Sequence, residues 1–175
     1  MWMFVWGSLV ANAGTLAGVT LPDAATAGGQ SLVLNGLGLR EKLWVDVYVG
    51  GLYLTTKSSD AAQIIAQDAP RRIVMHFIYK EVTADQLNET WVEGFAKQSG
   101  FTLGDRVDRL CSMMETVRAG DEIVLEYVPG VGTTVYIRGI KKGTVEGADF
   151  AKALTSVFIG ASPPTSVLKQ GMLGL

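Results

Sequence analysis

The chain has 175 residues, 15 Lys and Arg against 17 Asp and Glu, a formal net charge of −2, 48% hydrophobic residues and 18% charged ones. The length suits a single domain of roughly 150 residues or slightly more. The apolar content excludes a disordered chain, and the lack of a basic excess argues against nucleic acid as a partner. One cysteine, Cys111, and one histidine, His76, exclude an internal disulfide and a zinc site of Cys/His type. No G-x-S-x-G turn presents a nucleophilic serine.

In chain order, Met1 to Ala13 carries no charge and ends in Ala11-Asn12-Ala13, the small-x-small pattern of a signal-peptidase site. Residues 1–13 therefore read as the hydrophobic end of a secretory signal, which puts the mature domain, 14–175, in a periplasmic or extracellular space; the alternative is an ordinary apolar N-terminal strand. At about 10 apolar residues the segment is too short to span a bilayer, and no later run is long enough. Ala24 to Gly29 reads as a small-residue loop, Ser31 to Leu34 as a strand and Asn35-Gly36 as a tight turn. Leu43 to Thr55 is the longest strand candidate. Its alternation puts Trp44, Asp46 and Tyr48 on one face, and Gly50-Gly51 marks an interruption or a close approach.

Asp60 to Gln67 reads as a short helix capped by Ser59 or Asp60, and Arg72 to Tyr79 as a strand. Thr83 to Gln86 has the form of a capping box that opens a helix with Leu87, Trp91, Val92 and Phe95 at helical spacing. Leu103 to Val117 reads as a second helix. Glu122–Val128 and Thr133–Ile140 form a hairpin about Pro129 to Gly132, and Ala148–Phe158 is a helix. Thr165 caps a short terminal helix to Gln170. The order predicts an α+β fold with a largely antiparallel sheet and helices layered on it.

Nucleotide motifs fail: Gly36-Leu37-Gly38 lacks the third glycine of a dinucleotide loop, and no Walker lysine follows any glycine pair. No cofactor or metal is implied. His76 falls mid-strand among apolar neighbours and reads as a sheet-face histidine ahead of a general base. Cys111 reads as a small hydrophobe. Arg40 stands out, because a guanidinium in an apolar setting must meet an anion or carbonyls. With Tyr48 it could receive a carboxylate or enolate oxygen; alternatively it forms a structural pair with Asp46 or another acid. Periodicity nominates Trp44, Leu87, Trp91, Phe95 and Met114 for an apolar wall.

The string LNGLGLREKLWVDVYVGGLYL resembles a segment of the chalcone isomerase family, as do FIYKEVTADQLNETWVEGF and the tail FAKALTSVFIGASPPTSVLKQGMLG. The resemblance runs from about Gly18 to Gly174 and is closest to the bacterial chalcone isomerase-like branch. It implies an antiparallel sheet, a layer of helices and an apolar cleft between. In the family's isomerases an arginine holds the substrate phenolate, and a threonine and a tyrosine organise a water near the enolate. The arginine matches Arg40, the threonine position falls on Tyr48 and the tyrosine position on Leu87. Two further polar contacts fall near Gly94 and Ala151. Another branch binds fatty acids without turnover, using an arginine and a tyrosine for the carboxylate. Arg40 with Tyr48 resembles that pair more than the isomerase set. The resemblance thus implies a binder of a small amphipathic carboxylate, with isomerase action on a phenolic enone as the alternative. A third possibility is an interaction role with no ligand.

Overall fold

The computed structural model describes residues 14–175. The segment read as a signal, residues 1–13, lies outside the described residues. The described residues begin with β1 (Gly14–Leu16), β2 (Val19–Leu21), β3 (Ala24–Ala27), β4 (Gln30–Lys42) and β5 (Val45–Leu54). Next come α1 (Ala61–Ala66), β6 (Arg71–Phe77), β7 (Glu81–Val82), α2 (Ala84–Ala96) and α3 (Arg106–Cys111). The rest is β8 (Val117–Arg118), β9 (Glu122–Val128), β10 (Gly132–Ile137), β11 (Ile140–Val145), α4 (Ala148–Ile159) and α5 (Ser166–Met172).

Seven strands form one antiparallel sheet in the order β11-β10-β9-β6-β5-β4-β3. Strand alternation divides its side chains between two cores. Ile73, Met75 and Phe77 of β6 join Leu52, Ile123, Leu125 and the buried faces of α2, α4 and α5. Val74, with Leu32, Leu34, Val49 and Tyr53, packs on the opposite face beneath the β1–β2 hairpin. His76 lies on this second face, its Nδ1 2.8 Å from Glu122 Oε1, and Glu122 is its cross-strand partner. It is a sheet-face histidine with one nitrogen satisfied.

Several elements differ from the sequence expectation. Asn35-Gly36 is no turn: β4 runs straight through it, and the register steps from Leu34↔Tyr53 to Gly36↔Leu52. Asn35 is thus the extra residue of a β-bulge. Its amide donates to Ser58 O and Met172 O, both at 2.9 Å, and its Oδ1 accepts from Ser58 N at 2.8 Å. The bulge reverses the phase of the strand. Leu32 and Leu34 face the second core, yet Gly36, Gly38 and Arg40 face the helices.

β5 starts at Val45, because Leu43 and Trp44 form a two-residue turn with φ of 49° and 67°. A second bulge lies between the pairs Arg40↔Tyr48 and Glu41↔Asp46, with Val47 as the extra residue. Asp46 and Tyr48 therefore do not share a face. Gly50-Gly51 does not interrupt β5, whose pairing with β6 is continuous there. The close approach is real: a Cβ on Gly50 would meet Leu168 Cδ1 at 3.0 Å.

Ala24 to Ala27 is an edge strand paired with β4, not a loop. Only Arg106–Cys111 of the expected second helix is helical. Beyond it, Met113 N and Met114 N make single-turn bonds to Leu110 O and Cys111 O, and Val117 joins the small β7–β8 pair. Glu115, inside the expected helix, instead binds Arg138 and Lys142. Arg138-Gly139, with φ of 52° and 76°, ends β10 inside the expected Thr133–Ile140 run and turns the chain into β11, a strand the sequence reading did not contain.

Caps fare better. Asp60 accepts from Gln63 N, Thr165 accepts from Leu168 N, and Thr83 with Gln86 forms the full capping box. That box fixes where α2 begins, and so where Leu87 and Trp91 meet the sheet.

α5 rests on β4 almost backbone to backbone. A Cβ on Gly36 would overlap Gly171 O, one on Gly38 would overlap Leu168 O, and one on Gly171 would overlap Leu37 O. Neither neighbour can yield, because each obstructing atom is main chain. Gly38→Ala is expected to cost about 1–3 kcal/mol by overpacking. Urea unfolding reads the loss, and a variant as stable as the wild type would show that α5 is not seated this closely.

Candidate ligand-binding site

The helical face of the sheet leaves a cavity of about 420 Å³ between β4, β5 and β6 on one side and α2 and α4 on the other. That volume lies in the range of small-molecule sites. Tyr48, Met75 and Phe77 supply its sheet wall; Leu87, Trp91 and Phe158 supply its helix wall. Tyr48 and Phe77 lean together with ring centroids 5.5 Å apart. Trp91 packs edge-on against Phe158 at 5.9 Å and donates its indole N–H to Met114 Sδ at 3.2 Å. The inner wall is therefore pre-formed and apolar. The mouth lies between the tip of the β4–β5 hairpin, with Lys42, Leu43 and Val45, and the exposed side of α2, with Glu89 and Glu93.

Arg40 and Tyr48 are direct cross-strand partners and both line the cavity. The Asn35 bulge turns Arg40 to this face; the Val47 bulge lets Val45 and Val47 join Tyr48 on it while Asp46 points away. Arg40 donates through Nη1 to the carbonyl of Glu41. Among the described residues it makes no ion pair with Asp46 or any other acid. Most of its five donors remain available. Burial pushes the Tyr48 phenol above its ordinary range, with the Arg40 charge pulling the other way. The hydroxyl stays protonated and able to donate.

Of the residues nominated for the wall, Leu87 and Trp91 line the cavity. Trp44 does not: it sits in the hairpin turn at 95% exposure. Phe95 and Met114 are buried one layer deeper, Phe95 stacked on Phe150 at 5.4 Å and Met114 behind Trp91. The positions matching the family's two further polar contacts are packing positions. A Cβ on Gly94 would meet Val157 Cγ1 at 2.9 Å, and Ala151 is buried within α4. Val47, Met75, Phe77 and Phe158 were not nominated. The alternation of Ile73, Met75 and Phe77 around His76 was the available signal for two of them.

A model of the chalcone isomerase-like family matches residues 13–174. The chain belongs to that family. The family fold is seen here as the antiparallel sheet with its helical layer and intervening cavity. An Arabidopsis thaliana fatty-acid binding protein has a similar structure, with a TM-score of 0.71 and 19% identity over 92% of this chain and 95% of that one. At that identity the likeness speaks for the fold. No curated protein matches the sequence.

Among the described residues, no group of His, Cys, Asp and Glu is arranged to hold a metal ion, and no helix is long and apolar enough to cross a membrane. The chalcone isomerase-like sheet does carry two further buried tyrosines, Tyr53 and Tyr127. Both are pushed up to about 12, first by burial. Above pH 10 an unfolded tyrosine loses its proton while these keep theirs, so the native state then binds more protons. Stability is complete below about pH 10 and falls as pH rises toward 12. Denaturant titrations at about pH 8 and pH 11 test this; equal unfolding free energies would contradict it.

Proposed function

We propose that this protein binds a fatty acid, or a similar amphipathic carboxylate, without turning it over. The head group is held by Arg40 and Tyr48 and the tail by the apolar cavity. The observation that carries this reading is the guanidinium without an ion-pair partner beside a protonated tyrosine, next to an inner wall of Met75, Phe77, Leu87, Trp91 and Phe158. A guanidinium and a phenol offer a carboxylate two charge-assisted donors and one neutral donor. The fatty-acid binding described for the structurally similar plant protein supports the same reading. Burying a twelve-carbon tail at about 0.8 kcal/mol per methylene gives on the order of 10 kcal/mol before ordering costs, so micromolar affinity is within reach.

An isomerase needs a further donor at the developing enolate. At the matching position Leu87 offers only methyl groups, and loss of one such donor costs about 10²-fold or more. The reading includes membership of the bacterial branch and action outside the cytoplasm. These rest on the quoted sequence segments and on the uncharged Met1–Ala13 run ending in Ala11-Asn12-Ala13.

Arg40→Ala is expected to weaken binding of dodecanoate by roughly 10–100-fold, the worth of hydrogen bonds to a charged group, and to weaken dodecanol far less. Isothermal titration against both ligands reads the difference, and equal losses would remove the head-group role. Tyr48→Phe is expected to weaken the acid by about 3–10-fold and to leave thermal stability unchanged or slightly raised, since the phenol has no hydrogen-bond partner among the described residues. A fall in Tm of several degrees would instead assign Tyr48 to the core. Consumption of a chalcone above the buffer rate would overturn the non-catalytic reading.

A further inference from the structure

Four two-residue turns join antiparallel neighbours through a pair of positive φ angles: Ala17-Gly18 at 49° and 77°, Gly28-Gly29 at 56° and 78°, Leu43-Trp44 at 49° and 67°, and Arg138-Gly139 at 52° and 76°. Such turns match the twist of a hairpin, but they hold both central residues in the left-handed region. That is why Asn-Gly and Gly-Gly dominate them. Three of the four follow the rule and place glycine second. The turn between β4 and β5 places a leucine and a tryptophan there.

The two residues are 83% and 95% exposed, and Val45 beside them is 39% exposed. Trp44 is the one aromatic residue among the exposed large hydrophobic residues of the described chain. Left-handed backbone is costly for any residue with a side chain. Here the strain only carries apolar side chains into water, so neither stability nor solubility accounts for the choice. The place is telling: Lys42, Leu43 and Val45 line the cavity, so the tip that carries Trp44 is also one lip of its mouth.

We infer that the Leu43-Trp44 turn is a membrane-docking tip, which inserts into the interfacial layer of a phospholipid bilayer and brings the cavity mouth against the lipid. The exposed apolar surface is one protruding turn of three residues. A stable protein interface, including a dimer, buries about 800 Å² per partner, far more than this turn presents. A bilayer needs no matching surface, and an amphipathic indole settles at the headgroup level. Lys42 beside it can extend its stem along the apolar layer and keep its charge in water. Arg40 and Lys42 on the hairpin lip face Glu89 and Glu93 on the α2 lip. With charges of both signs at the mouth, insertion is driven by apolar contact and depends little on anionic lipid or salt.

The inference goes beyond the ligand reading and does not need it, because docking can be measured on vesicles that hold no fatty acid. The test uses the full chain and phosphatidylcholine vesicles. L43N/W44G gives the turn its preferred residues, so it is expected to float with vesicles about tenfold less than the wild type while its Tm rises by roughly 2–4 °C. In a W2F/W6F background only Trp44 and the buried Trp91 remain. The emission of Trp44 is then expected to shift to the blue on vesicle addition and to be quenched by brominated phosphatidylcholine. Equal flotation of wild type and L43N/W44G, no flotation of either, or an unquenched Trp44 would overturn the inference. So would a wild type that runs as a dimer when L43N/W44G runs as a monomer, since the tip would then meet a second copy.

Discussion

The contact on which the rest of the molecule depends is the seat of α5 on β4. Gly36, Gly38 and Gly171 remove the side chains that would hold helix and strand apart, so main chain lies against main chain. The Asn35 amide then ties the strand both to the loop after β5 and to the last turn of the helix. The same row along β4 continues to Arg40. Two positions without side chains carry the helix, and the next position carries one of the longest side chains available. The guanidinium therefore emerges ahead of the helix's first turn, where Pro164 also lines the cavity, and reaches the space that the helix does not fill.

Two arginines show what that placement means. Arg71 is 4% exposed. It donates to Ile64 O at 2.6 Å and Gln67 O at 3.1 Å and lies 5.4 Å from the centroid of the Tyr127 ring. It closes the C-terminal end of α1, a structural use of a buried charge in which both terminal nitrogens meet main-chain carbonyls. Arg40 has one backbone carbonyl and an open cavity. Both residues obey the rule that a guanidinium in apolar surroundings needs partners. One finds them in the fold, and the other opens on the cavity.

The sequence disclosed the elements whose signals are local. Asp60, Thr83 and Thr165 announced their helices because a cap needs only the residues three positions on. The wide hydrophobic spacing of α2 and α4 was equally plain, and so was the Pro129 to Gly132 hairpin. What it concealed were features defined by a partner strand. A bulge is a mismatch between two strands, so Asn35-Gly36 looked like the turn its composition favours, and the phase shift at Val47 was invisible in β5 alone. The Leu43-Trp44 turn carried no glycine, so the strand seemed to begin two residues early. That error made Trp44 a wall residue. Arg40 and Tyr48 were legible as chemistry, and through resemblance, but their pairing across β4 and β5 depends on register, which no spacing along one strand records.

The Asn35–Met172 hydrogen bond joins residues 137 apart in the chain. A contact of that separation closes late, because the entropy of so long a loop is spent before any native contact repays it. During synthesis it cannot close at all until α5 has left the ribosome. The sheet order can be laid down earlier, but the cavity acquires its edge at Pro164 only as the α5 segment arrives. The seating of α5 and the closing of the cavity are therefore nearly the same event.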